Sequence, residues 1–305
     1  MLKKFQVLLS TYNGQHYIKE QLDSIFSQRG VDVHCLVRDD GSTDNTVSIL
    51  YEYSKNQPNL KFVIGDNIGY KSSFINLIEL SGEFDYYAFA DQDDVWEANK
   101  LIAASEQIKT IESDVNIAVM YCSNCKLVDK ELKYIRMLHG RESILPKSKT
   151  EALAQGFAHG CTIVFNLEAK KIINRYKAKK EYAHDFWVPL IILFTGRVIY
   201  DPNSYILYRQ HNNNVFGSQR SLLEVFKIKI KQLNTNSFFH SDMISEILEG
   251  YGDLISLQDF KMLQEITYYK NSIYYKIKAL LNRQLRRKTF KGTLFLKLLI
   301  LFSKY

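Results

Sequence analysis

Apolar positions in the first third of the chain fall into two alternating rhythms. Phe5 to Ser10 is a short apolar run closing on Thr11-Tyr12-Asn13-Gly14, after which Ile18, Leu22, Ile25 and Phe26 recur on one face of a helix. Val33 to Val37 reads as the next strand. It ends in Arg38-Asp39-Asp40-Gly41-Ser42-Thr43-Asp44, where Ser42, Thr43 or Asp44 can cap a helix over about Asn45 to Lys55. A strand over Lys61 to Ile64, a helix over Ser72 to Leu80, a strand over Tyr86 to Ala90 and a helix over about Glu97 to Ile111 continue the series. Four such alternations predict an α/β layered domain whose mainly parallel sheet is flanked by helices.

In sheets of that kind ligands bind beyond the carboxyl ends of the strands. Thr11-Tyr12-Asn13, Asp39-Asp40 and Asp91 to Asp94 each follow a strand end, so they are expected to line one crevice. The third cluster is the densest, with Asp91, Asp93 and Asp94 inside four positions. Crowded carboxylates repel and raise one another's pKa unless a cation lies between them, and oxygen ligands suit Mg²⁺ or Mn²⁺. The alternative is a solvated acidic turn that caps the next helix. Convergence of three polar clusters favours the cation site. No G-x-G-x-x-G follows the first strand and no G-x-x-x-x-G-K-[ST] occurs, which argues against a dinucleotide dehydrogenase and a P-loop NTPase.

A length of 305 residues with 46% hydrophobic content supports a sizeable core. Of four cysteines, Cys122 and Cys125 form a CxxC within a strand-like run, where positions three apart point to opposite faces. Buried thiols in a reducing compartment are expected. The most apolar stretch, Leu294 to Phe302, is too short to span a membrane and contains Lys297. A cytoplasmic location, peripheral to the membrane, is expected.

Charge divides the chain. From Ser218 onward, 15 Lys/Arg face 7 Asp/Glu, a net +8, so residues 1–217 carry −1 of the chain's total of +7. Strand-like patterning also stops near Gly217, which sets the expected boundary between a domain over 1–217 and a helical region over 218–305. In the latter, Leu222, Leu223, Phe226 and Ile230 recur at helical spacing, as do Ile244, Ile247, Leu248 and Tyr251. Residues 266–305 hold ten Lys/Arg and no Asp/Glu, interleaved with aromatics and leucines. That mixture suits an anionic membrane surface, or a helical bundle with a solvated basic face. Nucleic acid is disfavoured as a partner because the crevice clusters are acidic.

Several motifs now match in order. Leu9-Ser10-Thr11-Tyr12-Asn13-Gly14, the Arg38 to Asp44 segment and Asp91-Gln92-Asp93-Asp94 resemble those of the family 2 glycosyltransferases, inverting enzymes with the GT-A fold. Gly160 to Asn166, His184-Asp185-Phe186-Trp187, and Tyr208-Arg209-Gln210-His211 with Asn214 and Gly217 resemble the subgroup that builds bacterial surface polysaccharides, rhamnosyltransferases among them. The resemblance covers residues 4–217. It implies that Tyr12 packs on the pyrimidine of a UDP- or dTDP-sugar, with Ser10, Thr11 and Asn13 beside it and Asp40 accepting from a ring N–H. It further implies Asp93 as principal metal ligand and Asp91 on metal or ribose, with Asp94 as a ligand or a helix cap.

Inverting transfer needs a base for the acceptor hydroxyl, opposite the departing diphosphate. Asp185 matches the family's base position, with Glu181 in reserve; as residue types at a helix start, Asp185 equally reads as a cap. The resemblance also implies Arg209 or His211 on the diphosphate, His211 in the metal shell, and His159 with Gly160 on the acceptor side. The acceptor is expected to be a glycan or a lipid-linked saccharide. A nucleotidyltransferase would carry a basic triphosphate loop after the first strand, which Ser10 to Gly14 lacks. An inactive relative serving as a partner subunit remains the alternative reading of the same motifs.

Overall fold

In the computed structural model, which describes residues 1–111, 116–140, 144–210 and 239–305, the first apolar runs become strands β1 (Lys3–Thr11), β2 (Val31–Asp39), β3 (Leu60–Ile64) and β4 (Tyr86–Asp91). Helices α1 (Ile18–Phe26), α2 (Thr46–Asn56) and α3 (Gly69–Leu80) join them. These strands pair in the order β3-β2-β1-β4, all parallel. Side chains alternate as the two-residue period requires. Phe5, Val7 and Leu9 meet Ile18, Leu22 and Ile25 of α1 in one core, whereas Leu8, Leu36 and Phe89 meet Phe74 and Leu77 of α3 in the other.

Beyond β4 the sheet is mixed. Strand β8 (Val164–Asn166) runs antiparallel to β4 and to β6 (Val119–Val128), and β6 pairs in parallel with β9 (Arg197–Arg209). The two-residue strand β5 (Val95–Trp96) adds antiparallel to β9, and β7 (Tyr134–Met137) forms an antiparallel pair with β6. The mainly parallel reading therefore describes the first half of the sheet. Pairings such as β6 with β9 join residues about 80 apart, so local periodicity carries no sign of them. One of the two readings of Asp94, as a helix cap, would put Trp96 on the helix that follows. Trp96 lies in β5 opposite Ile206, and helix α4 (Lys100–Lys109) starts after it.

Cys122 belongs to one core and Cys125 to the other, both as free buried thiols, as the strand geometry requires. Short helix α5 (Lys149–Ala152) and helices α6 (Leu167–Ile173) and α7 (His184–Thr195) cover the face that carries α3.

The C-terminal helices α8 (Phe239–Tyr251), α9 (Leu257–Thr267), α10 (Ile273–Leu281) and α11 (Phe290–Leu301) build on the same face. Met243, Ile244 and Ile247 of α8, Leu263 of α9 and Leu296 of α11 belong to one apolar cluster with Trp187, Val188 and Ile191 of α7. Trp187 stacks on Tyr182 at 5.0 Å between ring centres, and the Tyr182 hydroxyl donates to Glu246 on α8 at 2.9 Å. The expected boundary at residue 217, and the pattern of Leu222, Leu223, Phe226 and Ile230, lie outside the described residues. Among the described residues no helix is long and apolar enough to cross a membrane.

Glu246 is the polar pin of this packing, because it also accepts the backbone N–H of Lys179 at 2.6 Å while being buried. Replacing it leaves the buried Tyr182 hydroxyl without an acceptor and frees the half-buried Lys179 N–H. Glu246→Ala is expected to cost about 2–4 kcal/mol in urea denaturation; an unchanged midpoint would remove Glu246 from that role.

Candidate active site

Strand register sets the floor of the crevice. Ser10 lies opposite both Arg38 and Asp91, and Thr11 opposite Asp39, so the carboxyl ends of β1, β2 and β4 are level. The three polar clusters converge as expected. What the sequence did not disclose is how the loops are tied to one another. Gln92 stitches the acidic loop to the first: its Oε1 accepts from the Thr11 hydroxyl at 2.6 Å and from the Tyr12 N–H at 2.9 Å. Asn13, at φ +50°, accepts from the Thr43 N–H at 2.8 Å and donates its own N–H to the Ser42 hydroxyl at 2.8 Å. A Cβ on Gly14 would run into Gln92 and the Thr11 hydroxyl, so the tight turn needs glycine.

These bonds sort the expected donor-binding residues. Thr11 and Asn13 hold the loops together, and the Ser10 hydroxyl shares a hydrogen bond with Ser73 of α3 at 2.6 Å. Tyr12 differs: its ring is 46% exposed beside the crevice, not packed in a core. Asp40 is buried and already engaged. Arg38 pairs with its Oδ1, which also accepts the Ile68 N–H at 2.9 Å, while Oδ2 accepts the Gly69 N–H at 2.8 Å. A carboxylate offers about four acceptor sites, which leaves one, on Oδ2. Arg38 also reaches Asn76 at 3.2 Å and the Asp66 carbonyl at 3.0 Å, so the pair ties the 65–69 loop and α3 to β2.

Arg209 closes strand β9. Its guanidinium is buried behind the acidic loop, where it donates to the Asp93 carbonyl at 2.9 Å and to the Lys130 carbonyl, pairs with Glu20, and lies 5.0 Å from the Tyr17 ring. Its backbone N–H donates to Asp94 Oδ1 at 3.2 Å. In this structure those donors position the acidic loop. Asp94 is likewise no helix cap, since it lies at the base of the loop with Oδ1 on Arg209 and Oδ2 buried without a hydrogen-bond partner. His211, Asn214 and Gly217 lie outside the described residues.

The carboxylates are crowded and dehydrated. Burial, reinforced by the charges of Asp93 and Asp185, raises Asp91 to about 7. Burial, then Asp93 and Asp91, pushes Asp94 well up. Potential ligand atoms of Asp91, Asp94 and Cys161 lie within 4.8 Å of one another. The two carboxylates suit a hard cation; the Cys161 sulfur does not. The orphaned Asp94 Oδ2 and the raised carboxyls fit a site that gains a positive charge in use. Lys100 supplies a nearby cation, but its ammonium lies 3.6 Å from the Trp96 ring centre, and burial lowers it to about 7.

Asp185 comes from a different element, α7. It stands in the first turn of α7, whose cap position is Ala183, so it is not the capping residue. Burial raises its carboxyl to about 6. Its charge acts on Asp91, and both carboxylates act on the Tyr70 hydroxyl at the start of α3. His184, before it, is buried between Phe74 at 3.8 Å and Phe89 at 4.7 Å between ring centres, and is held neutral. Its imidazole closes against Gly160, where any side chain would collide with the ring. Glu181 accepts from the Ser72 hydroxyl at 2.9 Å, and His159 shares a hydrogen bond with His139 at 3.1 Å.

A half-parallel sheet with strand-end carboxylates in its crevice is the GT-A architecture of nucleotide-sugar transferases. The chain belongs to glycosyl transferase family 2, whose description matches residues 6–176. It is 30% identical over 241 residues to a dTDP-rhamnosyl transferase, RfbG, of Shigella flexneri, covering 74% of this chain and 78% of that one. Among solved structures it resembles S. aureus TarS in complex with UDP-GlcNAc, with a TM-score of 0.56, 17% identity and coverage of 92% and 87%. The mannosyltransferase PcManGT of Pyrobaculum calidifontis, in complex with GDP-Man and Mn²⁺, gives 0.55 at 14% identity, covering 100% and 81%. At those identities the structural likeness concerns the fold.

Removing one partner of the buried Arg38–Asp40 pair leaves an uncompensated charge. Asp40→Ala is expected to cost about 3–5 kcal/mol by chemical denaturation, with the Arg38→Met/Asp40→Leu double variant losing clearly less. Equal losses would mean that the pair does not set the stability of this loop.

Proposed function

We propose that the protein is an inverting glycosyltransferase that moves a sugar from a UDP- or dTDP-sugar to a hydroxyl of a saccharide, with a divalent metal on the donor diphosphate. The observation that carries the reading is the meeting of Asp91 to Asp94 with the Thr11–Asn13 and Asp39–Asp40 loops at the level carboxyl ends of β1, β2 and β4; Asp185, in the first turn of α7, supports it through the effect of its charge on Asp91. The similarity to a dTDP-rhamnosyl transferase favours dTDP-rhamnose as donor, and the acceptor proposed with it is a lipid-linked bacterial polysaccharide. Such an acceptor lies at the cytoplasmic face of the cell membrane, where the enzyme would be peripheral.

Tyr12 offers its exposed ring to the base by stacking. The remaining acceptor site of Asp40 Oδ2 takes a ring N–H, which uracil and thymine possess and cytosine lacks. Asp91 and Asp94, with Asp93 on the same loop, would hold Mg²⁺ or Mn²⁺, which would supply Lewis-acid neutralisation of the diphosphate. Asp185 accepts the proton of the acceptor hydroxyl as that oxygen bonds to the anomeric carbon; the glycosidic bond breaks with its electron pair on the diphosphate oxygen, and the proton passes to solvent. Holding the base near pH 6 keeps it ionised at neutral pH and stronger than a solvated aspartate.

Turnover of a donor panel of dTDP-rhamnose, UDP-glucose and UDP-galactose, with Mn²⁺ or EDTA, tests the reading directly. Asp185→Asn is expected to lower kcat about 10²–10⁴-fold with donor affinity kept within about twofold, and wild-type kcat to fall as pH drops through about 6. The same burial makes the folded state bind that proton more tightly than the unfolded chain. Its cost is therefore absent at low pH and grows as pH rises towards and past 6, so Asp185→Asn should stabilise the apoprotein at pH 8 by about 1–2 kcal/mol and not at pH 3. Tyr12→Ala is expected to weaken donor binding by about 1–3 kcal/mol with little change in melting temperature. Full activity of Asp93→Ala and Asp185→Asn would sink the assignment.

A further inference from the structure

Helices α10 and α11 run antiparallel, since Lys276 of α10 donates to Ser303 just after α11 at 2.6 Å while Lys297 of α11 reaches the carbonyls of Ala279 and Asn282, each at 2.8 Å. The Lys297 ammonium thus satisfies carbonyls left over where α10 ends. Each helix turns one side to the core, with Ala279 buried on α10 and Phe295, Leu296, Leu299 and Ile300 buried on α11.

The opposite side is also apolar. On α10, Ile273, Ile277 and Leu281 follow at four-residue spacing and stand 73%, 49% and 75% exposed. On α11, Phe290, Leu294, Leu298 and Leu301 form a matching row, with Phe290 83% exposed. Because the helices lie side by side on one core, both rows face outward together. A soluble helix normally keeps one apolar stripe, not two.

Charge says what this face fits. Lys291 lies on the exposed side of α11, with Arg283 and Lys288 exposed in the connection before it. Lys278 is exposed on α10 and bonds Glu265 at 2.6 Å. From 266 to 305 there is no carboxylate side chain. Apolar rows edged by cations match the boundary between acyl chains and anionic headgroups.

We propose that the outward face of α10 and α11 is a monotopic docking surface for an anionic lipid bilayer, and that it holds the crevice at the membrane. The inference rests on the lipid-linked acceptor for its purpose but not for its geometry. Among the described residues nothing covers the rows; a second copy of the chain or its own residues 218–238 are the competing occupants.

Flotation of the full chain with vesicles tests this. Phosphatidylcholine vesicles containing about a third phosphatidylglycerol should retain at least about tenfold more protein than pure phosphatidylcholine, and the excess should fall as salt is raised. Leu294→Ser/Leu298→Ser and, separately, Lys288→Glu/Lys291→Glu should each lower retention about tenfold or more. These side chains are exposed, so melting temperature and donor binding should stay at wild-type values, which separates failure here from failure of the catalytic reading. Equal retention on neutral and anionic vesicles, or variants that float like wild type, overturns the proposal. So does a lipid-free dimer that Leu294→Ser/Leu298→Ser converts to monomer, or apolar rows protected from labelling in a lipid-free monomer until 218–238 is deleted.

Discussion

Everything in the crevice depends on keeping mutually repelling carboxylates in place. Asp91, Asp93 and Asp94 would separate or take up water if the loop were free. The chain prevents this chiefly from behind, through Arg209, whose buried guanidinium donates to the loop's backbone carbonyl at Asp93 and whose own backbone N–H donates to Asp94. From the front, Gln92 ties the same loop to β1. The price is a set of raised carboxyl pKa values, with Asp91 at about 7. A carboxyl raised this far is part-protonated at neutral pH, which lowers the repulsion its neighbours feel.

The α/β layering, the first four strands and the meeting of three polar clusters were legible because strand period, helix period and strand-end chemistry are local signals. So was the split of Cys122 and Cys125 between faces, which follows from counting positions along a strand. The identities at the strand ends were legible; their tasks were less so. Arg209 and Asp40 illustrate why. In sequence, an arginine near a nucleotide motif reads as an anion ligand and an aspartate as a base reader. The structure uses most of their hydrogen-bonding capacity for loops about 116 and 28 residues away, and no spacing rule reports such a bond. Gln92 was overlooked for the same reason, since a neutral side chain between aspartates draws attention only once its partners are known.

Helix α4 shows a different limit. A helical pattern beginning near Glu97 was real, but Val95 and Trp96 were claimed by an edge of the sheet supplied by β9. Tertiary pairing outweighed local preference, and with it went the idea of Asp94 as a cap. Likewise, the change in charge after residue 217 is a fact of composition, yet the helices beyond it do not form a separate hydrophobic core. Leu263 and Leu296 sit in the same apolar cluster as Trp187 of α7.

That shared cluster links the layer beside the crevice to the C-terminal helices thermodynamically. Helix α7 carries Asp185 at its first turn and the contact with α8 along its length, so neither layer can lose its packing without exposing the other. A ligand that binds only the folded crevice stabilises the whole unit by mass action. A ligand confined to the crevice would therefore protect helices α8 to α11 that never touch it, because the apolar cluster they share with α7 would have to open for either layer to unfold.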